Sequence, residues 1–486
     1  MEKKFSFPSL FSIVLFFILG IVLAYFIKLN FNLIALLILI NFFLLLIIKK
    51  LSLYLILSIS FFLGILRFEN ARTLPKNNIV YQIREKKREN WFKLKVNSYI
   101  EGKGKRFIFL ADVISLLDKD VWLSTSGKIR CYIFGKEPSF NYGDILLSKG
   151  ILIKEEKSSS PIQAILILKS YQIIKKSKHP FNYLFSLRKK LNQIINENLP
   201  YPHQAILSAL ILGERQRVPK EIEENFIRTG TIHILAISGL HVGMIVYLGY
   251  LFLKILRFPR QFAYLLLIVF VFLYSILTGA KPPVMRASLM SGVYLGGLLI
   301  KREGNILNSL SLACWIILLI QPYQLFHVGF QLSFLVVLSI IISLFLTQDW
   351  FKKEAIEIKY SRKERIKRYF LKMFILSLSA WLGSAGLIAY YFKMVNPIAI
   401  LANLIVIPLT FFILASGIIF LLFSPCLGEP FLNTNFLFIE LLLKFIKYLS
   451  KLPGGFFILS HFSFPGVILY YFFLLIAIFL TKRRSL

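Results

Sequence analysis

A polytopic α-helical membrane protein with an inserted small extracytoplasmic β-rich, OB-like domain is the fold class this sequence predicts. Three observations predict it. The 486 residues are 57% hydrophobic, and several apolar runs reach the ~18–20 residues needed to cross a bilayer. Lysines and arginines fall at alternate boundaries of these runs, as positive-inside orientation requires. Between residues 70 and 176 the pattern changes to short, near-alternating apolar and polar stretches broken by Gly, Asn, Asp and Lys, which marks strands and turns.

Three apolar segments open the chain, about Pro8 to Ile27, Phe31 to Ile48 and Leu51 to Phe68, and make residues 1–69 an N-terminal transmembrane region. Lys3 and Lys4 before an apolar run suggest a signal peptide, but no A-x-A-like cleavage site follows, so the first helix is read as retained. With Lys3, Lys4, Lys49 and Lys50 inside, the third helix exits outward, and residues 70–200 are expected to be extracytoplasmic.

Within 70–176, the stretches WFKLKVNSYI, KRFIFLADVISL, KIRCYIFG and DILLSKGILI suggest five or so strands, with Gly135, Gly143 and Gly150 at turns. A compact barrel of the oligonucleotide/oligosaccharide-binding kind suits them, and a generic β-sandwich is nearly as compatible. Residues 70–200 hold 25 Lys and Arg against 11 Asp and Glu. Such a surface serves as a solvated face, as an attractor of anionic headgroups, or as a groove for a phosphate backbone. Lys93, Lys95, Lys103, Lys105 and Arg106 are the candidate DNA contacts. They interleave with Trp91, Phe92, Tyr99, Phe107 and Phe109, which either stack bases or, more commonly for strand aromatics, fill a core.

Residues 177–200 have apolar side chains at helical spacing around Arg188, Lys189 and Lys190, as in an amphipathic helix lying at a membrane surface. His203 to Leu212 is too short to span and is expected to be re-entrant or interfacial. The remainder, within 201–486, reads as a channel domain of about eight spans. They fall at about Thr229–Leu256, Phe262–Thr278, Val284–Ile300, Ile306–Ile320, His327–Leu346, Met373–Tyr391, Ile398–Phe423 and a terminal group ending at Leu480. If Leu432–Tyr448 and Pro465–Leu480 both cross, the clusters at Lys254, Arg257 and Arg260, at Lys301 and Arg302, in the loop Trp350 to Lys372, and at Lys482 to Arg484 all fall inside, with a cytoplasmic C-terminus. The stretch Lys352 to Lys372 alone carries nine Lys or Arg, more than orientation requires, and acidic lipid, a cytoplasmic protein or nucleic acid would each suit it.

Polar groups inside apolar spans mark the candidate path, because an ionisable side chain at a helix centre costs roughly 2.5–3.5 kcal/mol on insertion scales. The segment TGTIHILAISGLHVGM, Thr229 to Met244, places Ser238, Gly239 and His241 in such a span. Its GLHVG is a GxxxG pattern that permits close helix approach. Ser238 and His241 share a helix face, yet a nucleophile pair is disfavoured, since Ala236 and Leu240 stand where a G-x-S-x-G elbow needs glycines and no acid lies nearby. In TGAKPPVMRASLM, Thr278 to Met290, prolines suit a first helical turn and Arg286 follows one turn inside. It either snorkels to headgroups or faces a water-lined route and pairs with phosphate. Gln331 and Ser333 open a further span, and Asn403 with Pro408 interrupts another; interhelical hydrogen bonding is the default for such groups. Cys131, Cys314 and Cys426 form no CxxC pair or disulfide framework.

TGTIHILAISGLHVG, TGAKPPVMRASLM and NSLSLACWIILLIQPYQLFHVGFQLSFLVVLSII, in this order and spacing, resemble the membrane core of the ComEC family of competence proteins, as does the lead-in LILGERQRVPKEIEENFIRTG. The resemblance covers most of 200–480. It implies an inner-membrane channel of a bacterium, importing single-stranded DNA during natural transformation, with Ser238, Gly239, His241, Arg286, Gln331, Ser333 and Asn403 lining or shaping the path. Many family members continue into a metallo-β-lactamase-like domain, whereas this sequence stops at Leu486. Its six histidines contain no H-x-H-x-D-H cluster and no Walker A motif occurs, so no cofactor is expected. The implied partners are DNA, membrane lipids, and a separate DNA receptor, nuclease and cytoplasmic motor or single-strand-binding protein. A transporter of a small or lipid-linked substrate is the alternative, and an intramembrane hydrolase the weaker one.

Overall fold

The computed structural model describes residues 9–83, 89–118, 120–154, 162, 164–301, 305–357, 362–424 and 428–484, without the side chains of 9, 49, 103, 154, 348–357 and 481–484. Cys426, Arg302, Lys3 and Lys4 lie outside the described residues. The chain divides into two compact units: residues 1–190, 272–281 and 311–327 form the first, and 191–271, 282–310 and 328–486 the second.

The first unit opens with α1 (Ser9–Phe26), α2 (Phe31–Ile47) and α3 (Ser52–Arg72). Gly20 and Gly64 set how α1 and α3 meet: a Cβ on Gly20 would collide with the Phe61 carbonyl oxygen, and one on Gly64 with that of Phe17. The two backbones therefore touch, and Ser60 Oγ donates across the contact to the Ile13 carbonyl at 2.7 Å. Arg72 closes the end of α1, donating from Nη2 to the carbonyls of Ala24 and Tyr25, both at 3.1 Å. Its Nη1 is held by the buried carboxylate of Glu69 at 3.0 Å.

Seven strands follow: β1 (Glu89–Val96), β2 (Glu101–Lys103), β3 (Arg106–Asp118), β4 (Val121–Ser124), β5 (Lys128–Phe134), β6 (Ile145–Lys154) and β7 (Ala164–Lys175). The sequence suggested about five. Five of them close a ring, β1–β6–β7–β5–β3 and back to β1, in which only β5 and β7 run parallel. A barrel, not a sandwich, is the result, with β2 and β4 as short additions to β3. Alternation decides what fills it: Phe92, Leu94, Val96, Phe109, Ala111, Val113, Ile129, Cys131 and Leu166 point inward and are buried, as period-two strands on a closed surface must be. Burial pushes the Cys131 thiol well above its ordinary range. Gly150 sits at a register shift between β6 and β7, where a Cβ would collide with the Ile167 carbonyl oxygen, so the bend that helps close the barrel needs glycine.

Helix α4 (Phe181–Asn198) matches the amphipathic reading, but its first half is occupied by protein. Phe181 and Phe185 pack on Tyr142, and Phe185 also packs on Tyr99. Arg188, 1% exposed, lies over the Tyr99 ring at 4.0 Å. Lys281, in the turn after the eighth helix, pairs with Glu101 at 3.2 Å.

The second unit contains α5 (His203–Leu212), α6 (Lys220–Arg228), α7 (Gly239–Ile255), α8 (Arg260–Leu277), α9 (Pro282–Leu299), α10 (Ile306–Ile320), α11 (Val328–Glu357), α12 (Arg362–Phe392), β8 (Met394–Val395), α13 (Ala399–Phe423), α14 (Gly428–Leu449), β9 (Phe457–Ile458) and α15 (Phe464–Arg484), with the ends of α8 and α10 assigned to the first. The ten residues of α5 form a buried core helix, the usual fate of an apolar run too short to span. It packs with α13 and with the stripe Asn435, Ile439, Leu442, Ile446 and Leu449 of α14, spaced three or four apart as one helix face. Gly383 of α12 admits Ser339 of α11, where a Cβ would collide with the serine hydroxyl.

Among the described residues, five helices are long and apolar enough to cross a membrane: Ser52–Arg72, Arg260–Leu277, Val328–Thr347 within α11, Arg362–Phe392 and Ala399–Phe423. Six shorter apolar helices accompany them. The expected span Thr229–Leu256 is shorter than the sequence suggested, because residues before Gly239 are turn and 3-10 helix.

Gly64→Ala should destabilise the detergent-solubilised protein by about 1–3 kcal/mol through overpacking. Gly243→Ala, where a Cβ meets nothing within 4 Å, should be neutral or stabilising by up to ~1 kcal/mol. Thermal unfolding of the two variants beside wild type gives the comparison.

Candidate functional site

The segment that drew attention in the sequence is an unwound approach to a helix. Thr229 and Thr231 are fully buried, their hydroxyls 2.8 Å apart. Gly230 between them takes φ +69°, and a Cβ there would crowd Ala399 and Asn396 at 2.8 and 2.9 Å. Asn396 answers the end of α6, donating from Nδ2 to the carbonyls of Ile227 and Arg228 at 2.9 and 2.8 Å. Trp381 Nε1 donates in turn to the Asn396 carbonyl at 3.0 Å.

Ser238 does not lie within a helix, as expected from the sequence, but is the extended residue that starts α7. Its backbone N–H donates to His241 Nδ1 at 3.3 Å, and its hydroxyl lies 2.9 Å from the same nitrogen. The pair is a helix cap, with the imidazole in the place a Glu or Gln takes in a capping box. A backbone N–H can only donate, so Nδ1 accepts and the neutral ring carries its proton on Nε2. That nitrogen is fully buried and has no hydrogen-bond partner. The GxxxG reading is overturned: Gly239 and Gly243 face outward, a Cβ on Gly243 would meet nothing, and one on Gly239 would only touch Ala287 at 3.8 Å. Close backbone approach occurs at Gly20, Gly64 and Gly383 instead.

The Gly239–Ala287 contact brings the start of α7 to the start of α9, where Pro282 and Pro283 form the first turn as anticipated. Arg286, 5% exposed, donates from Nη2 to the Gly329 carbonyl at 2.9 Å, tying α9 to the first turn of α11. Its Nε and Nη1 have no hydrogen-bond partner. Gln331, one turn into α11, accepts from the Tyr391 hydroxyl at 3.3 Å. The N-terminal ends of α7, α9 and α11 are therefore consecutive neighbours, and each presents the positive end of a helix dipole. Three helix starts and a guanidinium with spare donors make an environment for an anion.

Two of the expected path residues stand apart from this chain of contacts. Ser333 is half-buried in the second turn of α11. Asn403 joins α13 to α12, donating to Ser377 Oγ at 3.2 Å, which is the interhelical hydrogen bond the sequence allowed.

On the barrel, Lys93 and Lys95 project outward from β1, and Lys93 Nζ lies over the Trp122 ring at 4.4 Å. Lys105 and Arg106 are exposed at the β2–β3 turn, and Lys103 has its side chain outside the described residues. The stacking partners were misassigned in part: Phe92 and Phe109 are buried in the barrel. Outward aromatics come from β5, where Tyr132 lies under the Arg106 guanidinium at 5.6 Å and Phe134, 62% exposed, pairs with Arg106 across the strands. Their alternation with Lys128 and Arg130 in KIRCYIF was the available signal. Glu89 pairs with Lys149 and Lys169, which hold its carboxyl below the usual range.

A family model described as "Competence protein" matches residues 210–484. The chain is 33% identical to "ComE operon protein 3" of Bacillus subtilis over 324 residues, 64% of this chain and 39% of that protein. It is 32% identical to an uncharacterized protein of Aquifex aeolicus over 241 residues, 49% of this chain and 51% of the relative. "Recombination protein 2" of Haemophilus influenzae is 24% identical over 250 residues, 49% of this chain and 31% of that protein. The matched part thus spans between about a third and a half of these curated relatives. No solved structure matches the chain.

Replacing the cap hydroxyl, Ser238→Ala, should cost about 1 kcal/mol while Ser238→Thr retains most of it. A matched loss in both variants on thermal unfolding would show that the hydroxyl does not serve as a cap.

Proposed function

The chain belongs to the competence protein family, and from that membership we propose that it is an inner-membrane channel that admits a single DNA strand during natural transformation. The observation that carries this reading is the meeting of three helix starts around Arg286, whose Nε and Nη1 are buried without a partner. A phosphate passing there gains charge-assisted donors and the positive ends of α7, α9 and α11. The N–H on His241 Nε2 is a further buried donor in α7, with no competing acid. Passage needs such contacts to be few, since an anion held by many donors would not leave.

In this reading residues 70–200 are extracytoplasmic, the C-terminus is cytoplasmic, and the OB-like barrel receives the strand before it enters. The outer faces of β3 and β5 combine Arg106, Lys128 and Arg130 with Tyr132 and Phe134, the pairing of cations and aromatic planes that binds single strands without sequence preference. A DNA receptor, a nuclease and a cytoplasmic motor are the partners this reading expects. Ser333 and Asn403 shape neighbouring helix contacts of the same route.

Arg286→Ala should leave the protein in the membrane and surface-bound labelled DNA unchanged, while the nuclease-protected fraction falls at least about tenfold, as expected for losing a charged contact worth ~1.5–3 kcal/mol. Unchanged entry would remove Arg286 from the path. Tyr132→Ala together with Phe134→Ala should weaken strand binding by the full-length protein by about 1–3 kcal/mol per lost stack, with an unchanged affinity ruling out β5 as the receiving face.

A further inference from the structure

Helix α12 is longer than a membrane needs. Its 31 residues make about 46 Å at 1.5 Å per residue, against about 30 Å of hydrocarbon. The surplus lies at one end: Arg362 to Lys372, RKERIKRYFLK, holds six Lys or Arg against Glu364 alone. Helix α11 has the same excess, its apolar part ending at Thr347 and the helix continuing to Glu357. The contact of Ser339 with Gly383 registers the two. Ser339 is near the middle of the apolar part of α11, so from the bilayer centre α11 runs 18 residues to Glu357 and α12 runs 21 residues from Arg362. At 1.5 Å per residue both reach about 27–32 Å, roughly 12–17 Å past the hydrocarbon.

The headgroup layer accounts for only about 5–8 Å of that reach. It covers Lys372, Tyr369 and Phe370, where an aromatic belt is ordinary. Arg362, Lys363, Arg365 and Lys367 lie progressively beyond it. The six successive residues Arg362–Lys367 are exposed on every side of the helix, so no described part of the chain covers them. Ile366 and Tyr369 are more than half exposed on the stripe shared with Arg362 and Arg365.

We propose that this projecting end of α11–α12 is a binding site for the phosphate backbone of single-stranded DNA, contacted by Arg362, Lys363, Arg365 and Lys367. The inference rests on the channel reading and names a second contact for the same cargo, far from Arg286 along the route. Anionic lipid satisfies the inner turn of the segment but not the outer one, and a polyanion in water satisfies both.

The test uses the full chain in nanodiscs of phosphatidylcholine, with a labelled single-stranded oligonucleotide titrated across a salt series. The variant R362Q/K363Q/R365Q/K367Q should bind with a log–log salt slope shallower by about 2–3, since each lost phosphate contact removes about 0.7 for single strands. R362K/R365K, which keeps the charge, should match wild type and shows that loss of fold is not the cause. A wild-type slope in the glutamine variant, with binding intact, overturns the site while leaving the channel reading standing. The same slope accompanied by loss of co-purifying phosphatidylglycerol from discs that contain it assigns the segment to headgroups and also overturns the proposal. Absence of strand binding by wild type itself removes the channel reading.

Discussion

An apolar interior leaves backbone groups at helix ends with nothing to bond but other protein, and the arrangement of this chain follows from how those ends are answered. Arg72 and Arg67, both on α3, close two different helices. Arg72 takes the last carbonyls of α1, and Arg67 takes those of Leu319 and Ile320 at the end of α10. Asn396 does the same for α6, and His241 for the start of α7. Each such side chain fixes a helix in position as well as satisfying it, because an unpaired amide or carbonyl in this environment costs several kcal/mol. Many polar residues of the membrane part are thus tied, and among the described residues the buried nitrogens without a hydrogen-bond partner include those of Arg286, His241, His203 and Trp315, of which only Arg286 carries two.

Apolar run length made the helices legible in the sequence, and period-two alternation made the strands legible. Both signals are local. The closure of β1 onto β3 was within reach as one of two options, but nothing local distinguishes a ring from a sandwich. Helix starts were harder. SGLH lies in an unbroken apolar run, so hydropathy extended the helix backward through residues that are turn, and the Ser–His spacing of three, read as one face of a helix, was a cap.

The glycines show the same limit from the other side. GLHVG has the spacing of a packing motif and packs nothing tightly, whereas Gly20 with Ala24 and Ser60 with Gly64 have the same four-residue spacing of small residues and carry the closest backbone contact. Spacing marks small residues in both kinds of segment, and only the pairing of two distant helices decides which of them meet. Arg286 was legible because a charge in a span needs an explanation wherever it points. Asn396 was not, since an Asn before a proline reads as an ordinary turn, and its bond to α6 spans more than 160 residues.

The barrel's closure restricts how anything can be recognised by it. Among the described strands, ring closure leaves free margins at β2, at β4 and where a strand outruns its neighbour, as β7 does beyond Leu168, from which point it pairs with β6 but not with β5. Where β1, β6, β7, β5 and β3 run side by side, the closed ring offers no edge for an extended peptide to join. A partner that meets this closed wall is read by side chains, through charge and ring faces, and not by backbone pairing. Such a surface is indifferent to the order of monomers in a polymer sliding across it.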